Sequence, residues 1–191
     1  MSDVTSTDKS AEELLREAGA MLEGHFQLSS GRHSGLYVEK FRLLERPPQT
    51  EALCRMIAEW APSVSPEIVA GPTTGGLLIS YEVARHLGTL SIFAESSDSG
   101  GRSFQRGFNI APGQRVLVVD DVLTTGGSIT DVLTAVRDLG GEPVGVAVLI
   151  DRSGGKIDFG VPLFACLKLD LPTYAPDECP LCDQGVPLTI T

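Results

Sequence analysis

Residues 116–128 read VLVVDDVLTTGGS, and no other stretch of this 191-residue chain narrows its fold so far. Val116, Leu117, Val118 and Val119 make an apolar, largely β-branched run with the length of a strand buried on both faces, the strand type of a parallel sheet covered by helices. Two adjacent carboxylates, Asp120 and Asp121, are expected to end it, and Val122 and Leu123 lead into Thr124, Thr125, Gly126, Gly127 and Ser128. Behind this loop Ile129, Val132, Leu133, Val136 and Leu139 recur at helical spacing until Gly140 and Gly141 stop them. A strand followed by small, hydroxyl-bearing residues at a helix N-terminus builds an anion site, because unpaired backbone N–H groups and the helix dipole converge there. The carboxylates would repel phosphate. Their place is at sugar hydroxyls or, through water, at a magnesium ion. The stretch therefore predicts a site for a phosphorylated sugar, against the plainer alternative of a Gly-rich turn with a solvated Asp pair.

The rest of the chain supplies the same unit again. EIVAG at 67–71 predicts a short strand, PTTGG follows, and Leu77, Leu78, Tyr81 and Ala84 mark the apolar stripe of a helix. If both strands are parallel in one sheet, the two glycine loops leave the same carboxyl edge, where ligands of open α/β folds bind. Further strands are expected near Leu90 to Ala94, at VGVAVLI and at LFACLKL. Between them ESSDSGGRSFQRGFNIAPG reads as a mobile loop or long hairpin, a lid whose cations are Arg102 and Arg106. The predicted fold is α/β, with a mainly parallel central sheet flanked by helices over 47–171. A small N-terminal hood precedes it at 10–46. There a helix opened by a Ser10/Glu13 capping box carries Leu14, Leu15, Ala18, Met21 and Leu22 and ends at Gly24. A β-hairpin with strands around His25 to Leu28 and Leu36 to Glu39 follows it. Residues 1–9 are expected to be frayed, and 172–191 form a Pro- and Cys-containing tail on the core or the hood.

Composition excludes several classes of function. The formal net charge of −10 argues against nucleic acid as a partner. No apolar run approaches the roughly 20 residues of a membrane helix, and the N-terminus has neither a basic nor an apolar leader region, which predicts a cytoplasmic protein. Cys54, Cys166, Cys179 and Cys182 are too scattered for a disulfide framework. Cys179 and Cys182 make one CxxC, half of a four-ligand zinc site. His25, His33 and His86 show no metal-ligand spacing, so a structural or occasionally oxidised cysteine pair is expected instead.

These stretches resemble a known family. VLVVDDVLTTGGS is similar to the signature of type I phosphoribosyltransferases, enzymes of 5-phosphoribosyl 1-pyrophosphate and magnesium. LSSGRHSGLYVE, VAGPTTGGLLISYEVARHLG and Ile150-Asp151-Arg152 resemble the substrate hairpin, pyrophosphate loop and base-side strand end of the orotate branch. The resemblance implies Asp120 and Asp121 at the ribose, Thr124 to Ser128 around the 5′-phosphate, Val122 and Leu123 within the same donor site, and Thr74 and Gly75 at the pyrophosphate. It puts Thr124, Arg152, His33 and Tyr37 on orotate, and implies a homodimer in which the lid reaches the neighbouring site. The rivals within this reading are a purine phosphoribosyltransferase and a non-catalytic nucleotide sensor on the same fold. Two departures stand out: glycine occupies position 75 where many relatives have lysine, and the lid contains no lysine. Arg102, with Arg106 second, is then the expected catalytic cation.

Overall fold

The computed structural model describes residues 9–28, 30–97 and 100–191. Most of the expected frayed N-terminus, residues 1–8, lies outside the described residues, as does Ser29 of the hairpin turn. Helix α1 (Ala11–Glu17) begins with the expected box: the Ser10 hydroxyl accepts from Glu13 N at 3.3 Å, and the Glu13 carboxylate accepts from Ser10 N at 2.8 Å. It ends earlier than the apolar stripe suggested. Gly19, at φ +66°, turns the chain out of the helix, so Met21 and Leu22 belong to strand β1 (Met21–Gln27). β1 pairs antiparallel with β2 (His33–Val38), with an irregularity between Glu23 and Phe26. A short helix that the sequence pattern had not indicated, α2 (Lys40–Leu44), follows, its start capped by the Glu39 side chain, which accepts from Phe41 N. Helix α3 (Pro47–Trp60) opens on two prolines and buries Leu53, Cys54 and Ile57.

Six strands form the central sheet: β3 (Ile68–Pro72), β4 (Leu90–Ser96), β5 (Arg102–Phe104), β6 (Arg115–Leu123), β7 (Glu142–Asp151) and β8 (Leu163–Lys168). The order is β5-β4-β3-β6-β7-β8, parallel except for β5, which pairs antiparallel with β4. Alternation along the strands divides the core in two. Val69, Leu117, Val119, Ala147 and Leu149 face α1, α3 and helix α4 (Gly75–Leu87). Ile68, Ala70, Val116, Val118, Val146 and Val148 face helix α5 (Gly127–Asp138).

Three expectations shift. The buried face of α4 is Ile79, Ser80, Val83 and Ala84, whereas Leu78 and Tyr81 are exposed; α5 ends before Leu139, which is exposed too. β6 does not stop at the carboxylates but runs through them to Leu123, because β7 is long enough to pair Val122 with Ile150 and Leu123 with Asp151. The lid segment is a hairpin in its described part, with β5 folded back on β4 and Phe108 edge-on to Phe93 at 5.0 Å.

The tail supplies β9 (Thr173–Tyr174), α6 (Pro180–Asp183) and β10 (Thr189–Ile190). β9 pairs with β2 and β10 with β1, giving a four-stranded hood sheet built from both ends of the chain. Among the described residues no helix is long and apolar enough to cross a membrane.

Candidate active site

The carboxyl ends of β3, β6 and β7 converge, and each contributes a loop. After β6, Thr124, Thr125 and Gly127 are exposed around a cavity of about 50 Å³ lined by Asp120 and residues 122–129. Gly126 adopts φ +77°, and a side chain there would press on Ile157 and Phe159. The backbone thereby swings outward and opens the N-terminus of α5 toward the cavity, the geometry of an anion cradle.

Behind the cradle, Asp120 and Asp121 are 9% and 4% exposed. Asp120 Oδ1 accepts from Asp121 N at 2.8 Å, and Asp121 Oδ1 accepts from Val122 N at 2.7 Å. Burial, and then the charge of Asp121, push the Asp120 carboxyl up to about 7, while Lys40 and Arg102 pull the other way. Lys40 was not among the residues singled out from sequence. Its Nζ lies 2.8 Å from Asp121 Oδ2. The only hint in the sequence is position: Lys40 stands three residues beyond Tyr37, where the hood hairpin hands over to a helix.

The loop after β3 packs against the same carboxylate. A Cβ at Gly75 would overlap Asp121 Oδ2 where it now lies, so any side chain there requires that carboxylate to move. The cation beside the acidic pair comes instead from the hood, as Lys40. The Thr73–Thr74 peptide is cis. Arg102 Nη1 reaches Thr73 Oγ1 at 3.3 Å and the Ala94 carbonyl at 3.4 Å, which sets one lid cation at this loop beside Thr74 and Gly75. Arg106 is placed differently: its guanidinium forks onto Glu95 at 2.7 and 2.9 Å.

On the other side, Arg152 N donates to the Leu123 carbonyl at 2.8 Å, so the end of β7 is tied to the start of the cradle. The Arg152 guanidinium is half-buried. Desolvation holds it below its ordinary range, and Tyr37 is the neighbouring group that opposes this. Among the described residues no side chain pairs with it. It lines a cavity of about 270 Å³ together with Ser153, Lys156 and Thr173. Tyr37 packs on Phe26 with ring centroids 5.6 Å apart. His33, expected at orotate, has partners within the protein. Its ring is 4% exposed and turned into the hood, with Nδ1 at 3.0 Å from His25 Nε2 and 3.3 Å from Cys182 Sγ.

The arrangement is an anion cradle, a buried acidic pair with one lysine, a glycine loop with one arginine and an unpaired arginine beside an aromatic ring. It matches a known family. The profile of the phosphoribosyl transferase domain matches residues 44–163. Orotate phosphoribosyltransferase of Desulforamulus reducens is 49% identical over 92% of this chain and 91% of its own length. That of Thermotoga maritima is 48% identical over 92% and 93%. Among solved structures, orotate phosphoribosyltransferase from Aeropyrum pernix superposes with a TM-score of 0.71 at 30% identity, covering 82% of this chain and 92% of that one. The chain belongs to the phosphoribosyltransferase family, and within it to the orotate phosphoribosyltransferases.

Proposed function

We propose that the site transfers the phosphoribosyl group of 5-phosphoribosyl 1-pyrophosphate to N1 of orotate, giving orotidine 5′-monophosphate and pyrophosphate in pyrimidine biosynthesis. Arg152 carries the reading: a half-buried guanidinium without a side-chain partner among the described residues, tied to the cradle through Leu123. A planar carboxylate on the base is what such a fork engages. The 5′-phosphate sits on the backbone of Thr124 to Ser128, and the ribose hydroxyls donate to Asp120 and Asp121. Pyrophosphate lies along Thr73 to Gly75, and orotate lies between Arg152, Thr124 and Tyr37. Reaction breaks the bond from C1′ to the pyrophosphate oxygen and forms C1′–N1, with the N1 proton passing to solvent. Arg102 meets the charge that grows on the leaving group. Inorganic phosphate is bound in a solved orotate phosphoribosyltransferase of Mycobacterium tuberculosis, 31% identical, TM-score 0.67, covering 83% of this chain and 95% of that one.

Asp120 and Asp121 are hard oxygen donors beside the cradle and fit a hydrated magnesium ion held mainly by the substrate; bound there, the ion would offset charge on the pyrophosphate. We further propose a cytoplasmic homodimer with the β4–β5 segment reaching toward the neighbouring site. Its support is a groove of about 470 Å³ where Leu78 and Tyr81, 45% and 65% exposed, face Leu44, Pro47 and Pro48. Free cysteines fit a reducing compartment.

The test is turnover with the sugar donor, magnesium and one base at a time. Orotate should be consumed, and Arg152→Ala should lower kcat/KM for orotate about 10- to 100-fold, the worth of a charged hydrogen-bonded contact. Turnover of hypoxanthine, xanthine or adenine without turnover of orotate would overturn the assignment.

A further inference from the structure

The hood contains a second group of chemistry-bearing side chains, away from the substrate site. His25 and His33 come from β1 and β2, Cys179 stands just before α6, and Cys182 lies within it. One ligand atom from each residue lies within 4.8 Å of every other, and His25, His33 and Cys179 are buried. We propose that these four residues form a tetrahedral zinc site that locks the C-terminal tail onto the hood hairpin.

The distances are those of an ion's coordination shell. Zinc bonds of about 2.3 Å to sulfur and about 2.0–2.1 Å to nitrogen place ligand atoms about 3.3 Å apart for two nitrogens and about 3.6 Å for nitrogen and sulfur. Here His25 Nε2 is 3.0 Å from His33 Nδ1, 3.5 Å from Cys179 Sγ and 3.8 Å from Cys182 Sγ, and Cys182 Sγ is 3.3 Å from His33 Nδ1. Hydrogen bonding alone does not satisfy this group. His25 Nδ1 lies 2.8 Å from the Val186 carbonyl, an acceptor only, so that nitrogen carries the proton and Nε2 has a single lone pair. Three groups crowd that lone pair: His33 Nδ1 and two thiols. A cation at the centre removes the conflict, and the carbonyl on the far nitrogen is the outer partner that fixes a ligating histidine's tautomer. Loading is balanced: zinc takes lone pairs from two neutral imidazoles and two thiolates, the two thiol protons pass to solvent, and the site is uncharged.

The sequence conceals this set by splitting it. CxxC supplies two ligands, and the other two are on neighbouring strands near the opposite end of the chain. The other two cysteines lie in the core, Cys54 buried and Cys166 half-buried, where Cys166 Sγ meets the Leu53 carbonyl. β9 and β10 are only two residues long each, too short to hold the tail by pairing alone. A metal clip explains how such a tail closes the sheet that carries Tyr37.

The test uses the full chain purified without chelator. Elemental analysis should give one zinc per chain in the wild type and none in Cys179→Ser/Cys182→Ser. Cobalt substitution should give the visible bands of a tetrahedral thiolate site. So that the test does not depend on the folding of the double variant, wild type is also treated with a chelator. Its Tm should fall by more than about 5 °C and recover with zinc alone, and two additional thiols should become reactive on chelation. The proposal is overturned by metal-free protein with free thiols, by a Cys179–Cys182 disulfide in the intact mass, or by zinc retained in the double variant.

Discussion

The tetrapeptide Thr-Thr-Gly-Gly occurs twice, at 73–76 and 124–127, each time between a strand of the same parallel sheet and a helix. The two copies fold differently. In the first, α4 begins at the first glycine, both glycines are buried, and Gly75 lies against Asp121. In the second, Gly126 takes φ +77°, α5 begins one residue later at Gly127, and both threonines stand exposed around the cradle. The difference comes from the strands. β3 has five residues and ends at Pro72, whereas β6 has nine and overhangs to Leu123 because β7 pairs with it that far. One loop is a wall that buries the carboxylates, and the other is an open hand for an anion.

The largest effect is therefore expected at the wall. Gly75→Ala puts a methyl where Asp121 Oδ2 lies, so the carboxylate must move from the position in which it meets Lys40. We expect kcat/KM to fall about 100-fold, as displacements of about 1 Å at a reacting centre do, with a stability loss of about 1–3 kcal/mol from overpacking. Steady-state kinetics and thermal unfolding check this. Near-normal activity in Gly75→Ala would mean that the loop does not fix Asp121.

The buried pair also predicts a pH effect in the ligand-free protein. The unfolded chain loses the Asp120 proton near pH 4, whereas the folded protein keeps it to about 7, held by burial and by Asp121 against Lys40 and Arg102. Between these values the unfolded state binds fewer protons than the folded one, so this group's stabilisation is complete below about pH 4 and lost as pH rises through 7. Other carboxylates, such as Glu95 and Glu13, shift the other way, so the readout is a difference. Stability of wild type minus that of Asp120→Asn should fall by at most about 1.4 kcal/mol per pH unit across that window. A flat difference would mean that the first loop does not desolvate the pair.

The contrast between the loops also shows what could be read in advance. Val116 to Ser128 was legible because strand, acidic pair, loop and helix are contiguous, and each follows from local chemistry. The two-sided burial of the sheet was legible for the same reason: Val118 and Val119 need opposite faces covered. Lys40 was not, because its role depends on how the hood sits over β6 rather than on its neighbours in sequence. Nor were the partners of His33 legible, because His25 lies on the neighbouring strand and Cys182 at the far end of the chain. The stripe expected for α4 is rotated about the helix axis from the buried one, Ile79, Ser80, Val83 and Ala84, since Leu78 and Tyr81 are apolar yet exposed. Hydrophobicity alone does not distinguish a core face from a surface for another molecule.

The smallest effect tests the open loop. Gly127 is the first residue of α5 and has no positive φ, and a Cβ there meets nothing nearer than Thr125 Oγ1 at 4.0 Å. Gly127→Ala should therefore leave the fold intact and raise its stability by a few tenths of a kcal/mol, since alanine restricts the unfolded chain and favours the helix. Gly127 lines the cavity assigned to phosphate, so the same methyl would take up room beside the anion. KM for the sugar donor should rise about threefold to tenfold, roughly 1 kcal/mol at a single contact, while KM for orotate stays near its wild-type value. Opposite signs in stability and binding at one glycine separate a cradle from a turn. A Gly127→Ala protein that is stabilised but binds the donor as well as wild type would move the phosphate off this backbone, leaving the two Thr-Thr-Gly-Gly loops distinguished by packing alone.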